Sequence, residues 1–170
     1  MNGLVQVYTG DGKGKTTAAL GLALRAIGWG YKVCFIQFIK ARKTGEVKIS
    51  QKELPRFSIH QFGKSAFIKR PNQKDKLLAQ KALKFAQKII NSQKYQIVIL
   101  DEINIALNFK LINLAQVIQI IRHKPASVEI VLTGRKAPRQ IIEIADLVTE
   151  MKLIKHPFDK KIQARQGLDY

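Results

Sequence analysis

The sequence predicts an α/β domain, a mostly parallel central sheet with helices on both faces. Three observations carry this. Short β-rich runs alternate with longer stretches of helical period, the pattern of strands joined by crossover helices. A glycine-rich turn, Gly10-Asp11-Gly12-Lys13-Gly14-Lys15-Thr16-Thr17, stands between the first strand and the first helix. A continuous apolar run, Ile97-Val98-Ile99-Leu100, ends abruptly in Asp101-Glu102.

The strands are expected at Leu4–Thr9, Lys32–Ile39, Phe57–Gln61, Ile97–Leu100, Glu129–Thr133 and Leu147–Lys152, each rich in branched or aromatic residues. Between the first two, Leu20, Ala23, Leu24 and Ile27 repeat at helical spacing, and Gly28 with Gly30 stop the helix. A second helix spans Gln73–Asn91, with Lys74, Lys81, Lys84 and Lys88 on one side and Leu78, Ala82, Phe85, Ala86 and Ile89 on another. A third runs from about Lys110 to Arg122. A short fourth starts at Pro138, whose fixed φ suits a first turn, and ends near Ala145. Ala41–Pro55 and Gly63–Asn72 show no period and read as long loops, the segments that carry function on such scaffolds.

Composition narrows the class. With 170 residues, 46% of them hydrophobic, and only 11 Gly and 5 Pro, the chain suits one compact domain spanning 1–170, neither disordered nor fibrous. Cys34 is the only cysteine and sits in an apolar run, so an intrachain disulfide is excluded and burial is expected. No apolar run approaches the ~18 residues of a membrane span, and the N-terminus lacks a signal-peptide pattern. The expectation is a soluble cytoplasmic protein without a membrane partner.

The formal charge of +18 favours anionic ligands without naming one. Fourteen of the cations lie between Lys40 and Lys88, against only Glu46, Glu53 and Asp75. A solvated basic face on an amphipathic helix accounts for most of this stretch, and a nucleic-acid tract is the alternative.

The glycine-rich turn carries the chemistry. Its glycines let backbone N–H groups turn inward around phosphate oxygens, the helix N-terminus adds its positive end, Lys15 adds a full charge, and the Thr16 hydroxyl can ligate Mg²⁺. The common spacing places a glycine five residues before Gly14, where this chain has Thr9. Gly10 leaves only three residues before Gly14, so the cradle is one residue tighter and can seat a triphosphate differently. Asp101-Glu102, ending a buried strand, can reach the Mg²⁺ of that nucleotide. Alone, the pair would suggest an ATP hydrolase with Glu102 positioning water. Thr133-Gly134-Arg135 ends another strand and brings an arginine to the same sheet edge, where ligands of open α/β sheets collect.

Taken together, ordered segments of the chain resemble the ATP:corrinoid adenosyltransferase family. They are Val7 through Ala19, Gln37-Phe38-Ile39-Lys40 with Thr44-Gly45-Glu46, Leu100-Asp101-Glu102-Ile103-Asn104, Leu132-Thr133-Gly134-Arg135, Ala145 through Met151, and Lys155-His156-Pro157-Phe158. The resemblance implies a RecA-like P-loop domain, usually a homodimer. It implies a reaction in which a Co(I) corrinoid attacks C5′ of ATP and expels triphosphate, with no general base. Positioning, water exclusion and charge neutralisation are then the protein's tasks.

By the same resemblance, ATP is held by Thr9, Gly10, Asp11, Gly12, Lys13, Gly14, Lys15, Thr16 and Thr17, with Arg25 and Arg135 also reaching the nucleotide. Thr16 and Glu102 hold Mg²⁺, and Lys15, Glu102 and Arg135 carry the catalysis. A flavin or flavoprotein supplies the reduced cobalt. Family members carry an N-terminal extension closing over the corrinoid, whereas only Met1 and Asn2 precede the first strand region here, so that lid is expected to be missing, truncated or supplied otherwise. They also place two aromatics against the lower face of the corrin; the corresponding loop, Gly63–Lys69, offers Phe67 alone. A P-loop ATPase that binds nucleic acid is the competing expectation.

Overall fold

A computed structural model of the chain describes residues 2–64 and 70–169. Six strands form one sheet: β1 (Val5–Thr9), β2 (Val33–Gln37), β3 (Phe57–Gln61), β4 (Ile97–Asp101), β5 (Glu129–Thr133) and β6 (Leu147–Glu150). Their order is β3-β2-β4-β5-β1-β6, and every pairing is parallel. β5 thus separates β1, which leads into the glycine turn, from β4, which ends in the carboxylates. The register sets Tyr8 beside Thr133 and Gln37 beside Asp101, so the C-terminal ends of these strands share one edge.

Alternation along the strands builds two cores. Val33, Phe35, Ile97, Ile99 and Val131 face α1 (Lys15–Gly28), which buries Ala19, Ala23 and Ala26 against them. Cys34, Ile36, Val98, Leu100, Ile130 and Leu132 face the opposite helices, chiefly α3 (Gln73–Ser92) and α5 (Leu114–Arg122). Each fully buried Ile or Leu stabilises by about 1.5–3 kcal/mol. Helices on both faces of a parallel sheet are the RecA-like P-loop arrangement that the sequence predicts.

Three helices depart from the sequence reading. α2 (Gly45–Lys52) lies inside the expected Ala41–Pro55 loop; Thr44 precedes it and Glu46 favours its first turn, yet its few apolar residues give no periodic stripe. α4 (Ile103–Asn108) follows β4 after the single residue Glu102, too short for a period to show. α5 begins at Leu114 rather than near Lys110, because Lys110 takes a left-handed conformation (φ 55°) and the Asn113 side chain caps the new helix at Ala115 N. The short helix from Pro138 is α6 (Arg139–Ile144), and a turn of 3₁₀ helix at Pro157–Lys160 follows β6.

On α3 the buried side chains are Asp75, Ala79, Ala82, Leu83, Ala86 and Ile90, so the apolar stripe sits about one position away from the expected centre. Asp75 explains the shift: it closes a capping box with Asn72 and pairs with Lys64 at 2.7 Å, which draws the N-terminal end inward. Lys74, Lys81, Lys84 and Lys88 are exposed, the solvated basic face that the pattern favours.

Candidate active site

β1 delivers the chain into the phosphate loop, and the end of β6 shapes it. Met151 N donates to Thr9 O (2.9 Å) and Gly12 N donates to Met151 O (2.6 Å), so the expected strand Leu147–Lys152 leaves the sheet after Glu150 to support the loop. A Cβ on Gly12 would lie 2.6 Å from the Met151 carbonyl oxygen, which makes glycine obligatory there. Gly14 takes φ 116° as the N-cap of α1 and supplies no side-chain cap, so the first N–H groups of the helix are left for a ligand.

The side chains of the loop are already organised. Lys15 is buried and its ammonium donates to Gly12 O. Burial, with help from Arg135 and Lys40, holds it below the usual lysine range against the pull of Glu102 and Asp11. Thr9 Oγ1 accepts from Ala137 N at 3.2 Å, tying the residue that replaces the usual glycine to the turn after β5. Arg135, on that turn, reaches Asp11 at 3.8 Å; both side chains are mostly exposed, so the pair is weak and easily redirected. Lys13 points the other way, to Asp169 and to Leu168 O (3.3 Å), where the C-terminal segment folds back over the loop. Lys13 and the backbone N–H of Arg165 hold the Asp169 carboxyl well below the usual range. Thr17, in the first turn of α1, is exposed.

Opposite the loop, Asp101 is fully buried and saturated with donors: Thr16 Oγ1 (2.8 Å), Thr133 Oγ1 (2.7 Å), Gln37 Nε2 (3.3 Å) and Lys40 Nζ (3.2 Å). Glu102 follows at φ 61°, the left-handed conformation that places strain at a working position, and its N–H donates to Thr133 Oγ1 at 3.0 Å. Its carboxylate lies 3.4 Å from Lys40 Nζ. Burial and the Asp101 charge raise the Glu102 carboxyl above its usual range although Lys40 opposes them. Burial works against the Lys40 charge, but Asp101 and Glu102 outweigh it and raise the ammonium's pKa. Asn104, fully buried, gives its amide to Gly134 O (3.2 Å) while its side-chain oxygen has no hydrogen-bond donor among the described residues.

The structure brings the glycine-rich loop and the carboxylates at the end of β4 to one sheet edge, and adds Lys40 and Asn104, to which the sequence reading gives no role, with Asp101 taking the larger share of the contacts. Asp101 is the carboxylate bonded to Thr16, whereas Glu102 reaches Thr16 only through Lys40. The last residue of a buried apolar strand was the available signal. Arg25 is not brought to the loop: it is exposed in the last turn of α1, roughly 15 Å along the helix axis from Lys15 at 1.5 Å per residue. Phe67 lies outside the described residues.

A hydroxyl with two neighbouring carboxylates is an all-oxygen donor set, the chemistry Mg²⁺ prefers when substrate phosphates and water complete its shell. The ammonium already lodged among these oxygens shows that the corner accommodates a cation. Among the described residues there is no group of three or more His, Cys, Asp or Glu that could hold a metal ion.

Comparison with known proteins points one way. A family model described as ATP:corrinoid adenosyltransferase BtuR/CobO/CobP matches residues 1–170. A corrinoid adenosyltransferase from a Sinorhizobium species is 41% identical over 172 residues, covering 99% of this chain and 80% of that protein. Corrinoid adenosyltransferases from Pseudomonas aeruginosa and Escherichia coli are 38% and 33% identical, each over 99% of this chain and over 84% and 86% of their own lengths. Among solved structures, the flagellar accessory protein FlaH from Methanocaldococcus jannaschii aligns with a TM-score of 0.56 over 88% of this chain and 70% of its own; at 14% identity the likeness is one of fold.

Proposed function

The chain belongs to the ATP:corrinoid adenosyltransferase family, and from that premise we propose how its own residues carry the family's reaction. The activity is transfer of the 5′-deoxyadenosyl group of ATP to the Co(I) of a reduced corrinoid, releasing triphosphate, toward adenosylcobalamin. The cobalt electron pair forms a bond to C5′, the C5′–O5′ bond breaks, and its electrons leave with the triphosphate. No proton moves, so no general base is required.

What the protein must do is hold the triphosphate and accept the charge that grows on it. The observation that supports this assignment is the pairing of an open helix start at Gly14-Lys15 with the Thr16–Asp101 bond across the sheet. Backbone N–H groups from Lys13 to Thr16 donate to phosphate oxygens, while Gly12, whose N–H is taken by Met151 O, shapes the loop with Thr9 and Gly10. Lys15, already inside the loop, exchanges Gly12 O for phosphate. Lys13 gives up its contacts with Asp169 and Leu168 O, and Arg135 its weak, exposed pair with Asp11, before turning to the ligand. Thr16, Asp101 and Glu102 would hold Mg²⁺, which would supply further neutralisation of the leaving group. Arg25 enters on the family resemblance alone.

We also assign a cytoplasmic homodimer whose corrinoid substrate is reduced at cobalt by a flavin or flavoprotein. Family resemblance supports this, and exposed apolar side chains on the edge strand, Leu147 and Val148, with Ile154 and Phe158 beyond it, offer surface for a second copy. Among the described residues, no helix is long and apolar enough to cross a membrane. The test mixes ATP, Mg²⁺ and chemically reduced cobalamin with the protein and identifies the products. A cobalt–carbon bond with triphosphate is the expected outcome; ADP and orthophosphate with unchanged corrinoid would overturn it.

A further inference from the structure

We propose that Lys40 is a resident cation of this site: without nucleotide its ammonium fills the corner among Thr16, Asp101 and Glu102, and it moves to the triphosphate when a divalent cation arrives there with ATP. This rests on the reading that those three residues hold the metal.

The geometry is specific. Lys40 Nζ lies 3.3 Å from Thr16 Oγ1, 3.2 Å from Asp101 Oδ2 and 3.4 Å from Glu102 Oε1, so its three protons face three oxygens contributed by three residues. The Lys40 side chain is 28% exposed, and Asp101 not at all. Two adjacent carboxylates in a shielded corner repel each other, and a tethered ammonium between them offsets that repulsion before a ligand comes.

An ammonium in that position and a metal ion cannot share it. Mg²⁺ bonds oxygen at about 2.0–2.1 Å, so an ion on these same oxygens would meet the Lys40 nitrogen in direct cation–cation contact. One must leave, and Lys40 can. It lies beyond the end of β2, and its four-carbon stem lets the charge swing without moving the sheet. The incoming triphosphate is the nearest new anion. Lys40 thereby penalises metal binding to the empty protein and joins the cations on the leaving group once ATP is bound, so metal and nucleotide are coupled.

The test reads Mn²⁺ binding directly, by electron paramagnetic resonance of the free ion, in the nucleotide-free protein. Lys40→Met should bind Mn²⁺ about tenfold more tightly than wild type or better, the scale of one lost charge–charge opposition. Lys40→Gln should do the same and serves if the Met variant does not fold. Lys40→Arg, which keeps the charge, should stay close to wild type. Equal Mn²⁺ affinity in wild type and both neutral variants overturns the proposal. Controls with ATP present separate the two readings. If Asp101→Asn and Glu102→Gln weaken Mn²⁺ binding while the Lys40 variants change nothing without nucleotide, the metal site stands and the Lys40 role falls. If neither carboxylate variant affects Mn²⁺, the metal site itself is wrong and the Lys40 role falls with it.

Discussion

The Thr16 hydroxyl donates to Asp101 Oδ1 across 2.8 Å, joining the first turn of α1 to the end of β4 over 85 residues of sequence. Because β5 lies between β1 and β4 in the sheet, this bond spans the width of a strand and fixes the distance between the phosphate loop and the carboxylates. Thr133, at the end of that intervening strand, donates to the same Oδ1 at 2.7 Å and accepts from Glu102 N, so the start of α1 and the ends of β4 and β5 are joined as a unit.

Asp101 is therefore expected to be less replaceable than Glu102. Asp101→Asn sets an NH₂ group against donors that include the Lys40 ammonium, leaving buried groups unsatisfied. The cost should be about 1–3 kcal/mol of stability by denaturant unfolding, together with loss of adenosylation. Glu102→Gln, at a carboxylate 20% exposed, should fold normally, lose activity at limiting Mg²⁺ and recover part of it at higher Mg²⁺. Full activity of Glu102→Gln at limiting Mg²⁺ would show that this carboxylate has no part in the metal site.

Lys15 should act on the transition state more than on binding. The C5′–O5′ bond breaks as charge builds on the triphosphate, so a buried ammonium in the loop stabilises the later state more than the bound substrate. Lys15→Ala should lose on the order of a hundredfold or more in turnover, with a smaller change in ATP affinity measured by calorimetry. A variant that keeps turnover but binds ATP far more weakly would reverse that division.

How much of this was legible in the sequence depends on whether the residues concerned are neighbours in the chain. β3 and β5 are found at the expected residues because apolar, β-branched runs announce themselves, and the glycine-rich loop is contiguous, so its residues and its place between a strand and a helix can be read together despite its shortened spacing. Lys40, Asp101 and Thr133 come from the ends of three different strands and meet only through the order β2-β4-β5-β1, which no local pattern encodes. The supports of the loop, Met151 and Ala137, were invisible for the same reason: both act through backbone atoms. α4 was missed because a six-residue helix entered through a left-handed glutamate has no period to read.

Cys34 should be inert in the folded protein. It is fully buried in β2 facing the α3 side, and burial pushes its thiol up to about 12. The thiolate is the reactive form, so an aromatic disulfide reagent at pH 8 should label the native protein only as fast as it unfolds, and at once in denaturant. Rapid stoichiometric labelling without denaturant would contradict the packing of β2 between β3 and β4.

His60 should give the fold a dependence on mildly acidic pH. Its ring lies 4.6 Å from that of Phe85 on α3, with Phe62 packed on the same phenyl ring at 5.3 Å, and burial in this aromatic setting lowers its pKa from the ordinary 6.5. The sign follows from which state takes the proton first. Above pH 6.5 the imidazole is neutral folded or unfolded and contributes no slope; below it the unfolded chain protonates first, so stability falls with pH until the folded imidazole is protonated too. Denaturant midpoints should therefore drop more between pH 7.5 and pH 5.5 in wild type than in His60→Gln, which has nothing to titrate. Equal drops in the two proteins would mean that the ring between β3 and α3 is solvated well enough to accept its proton in the native state.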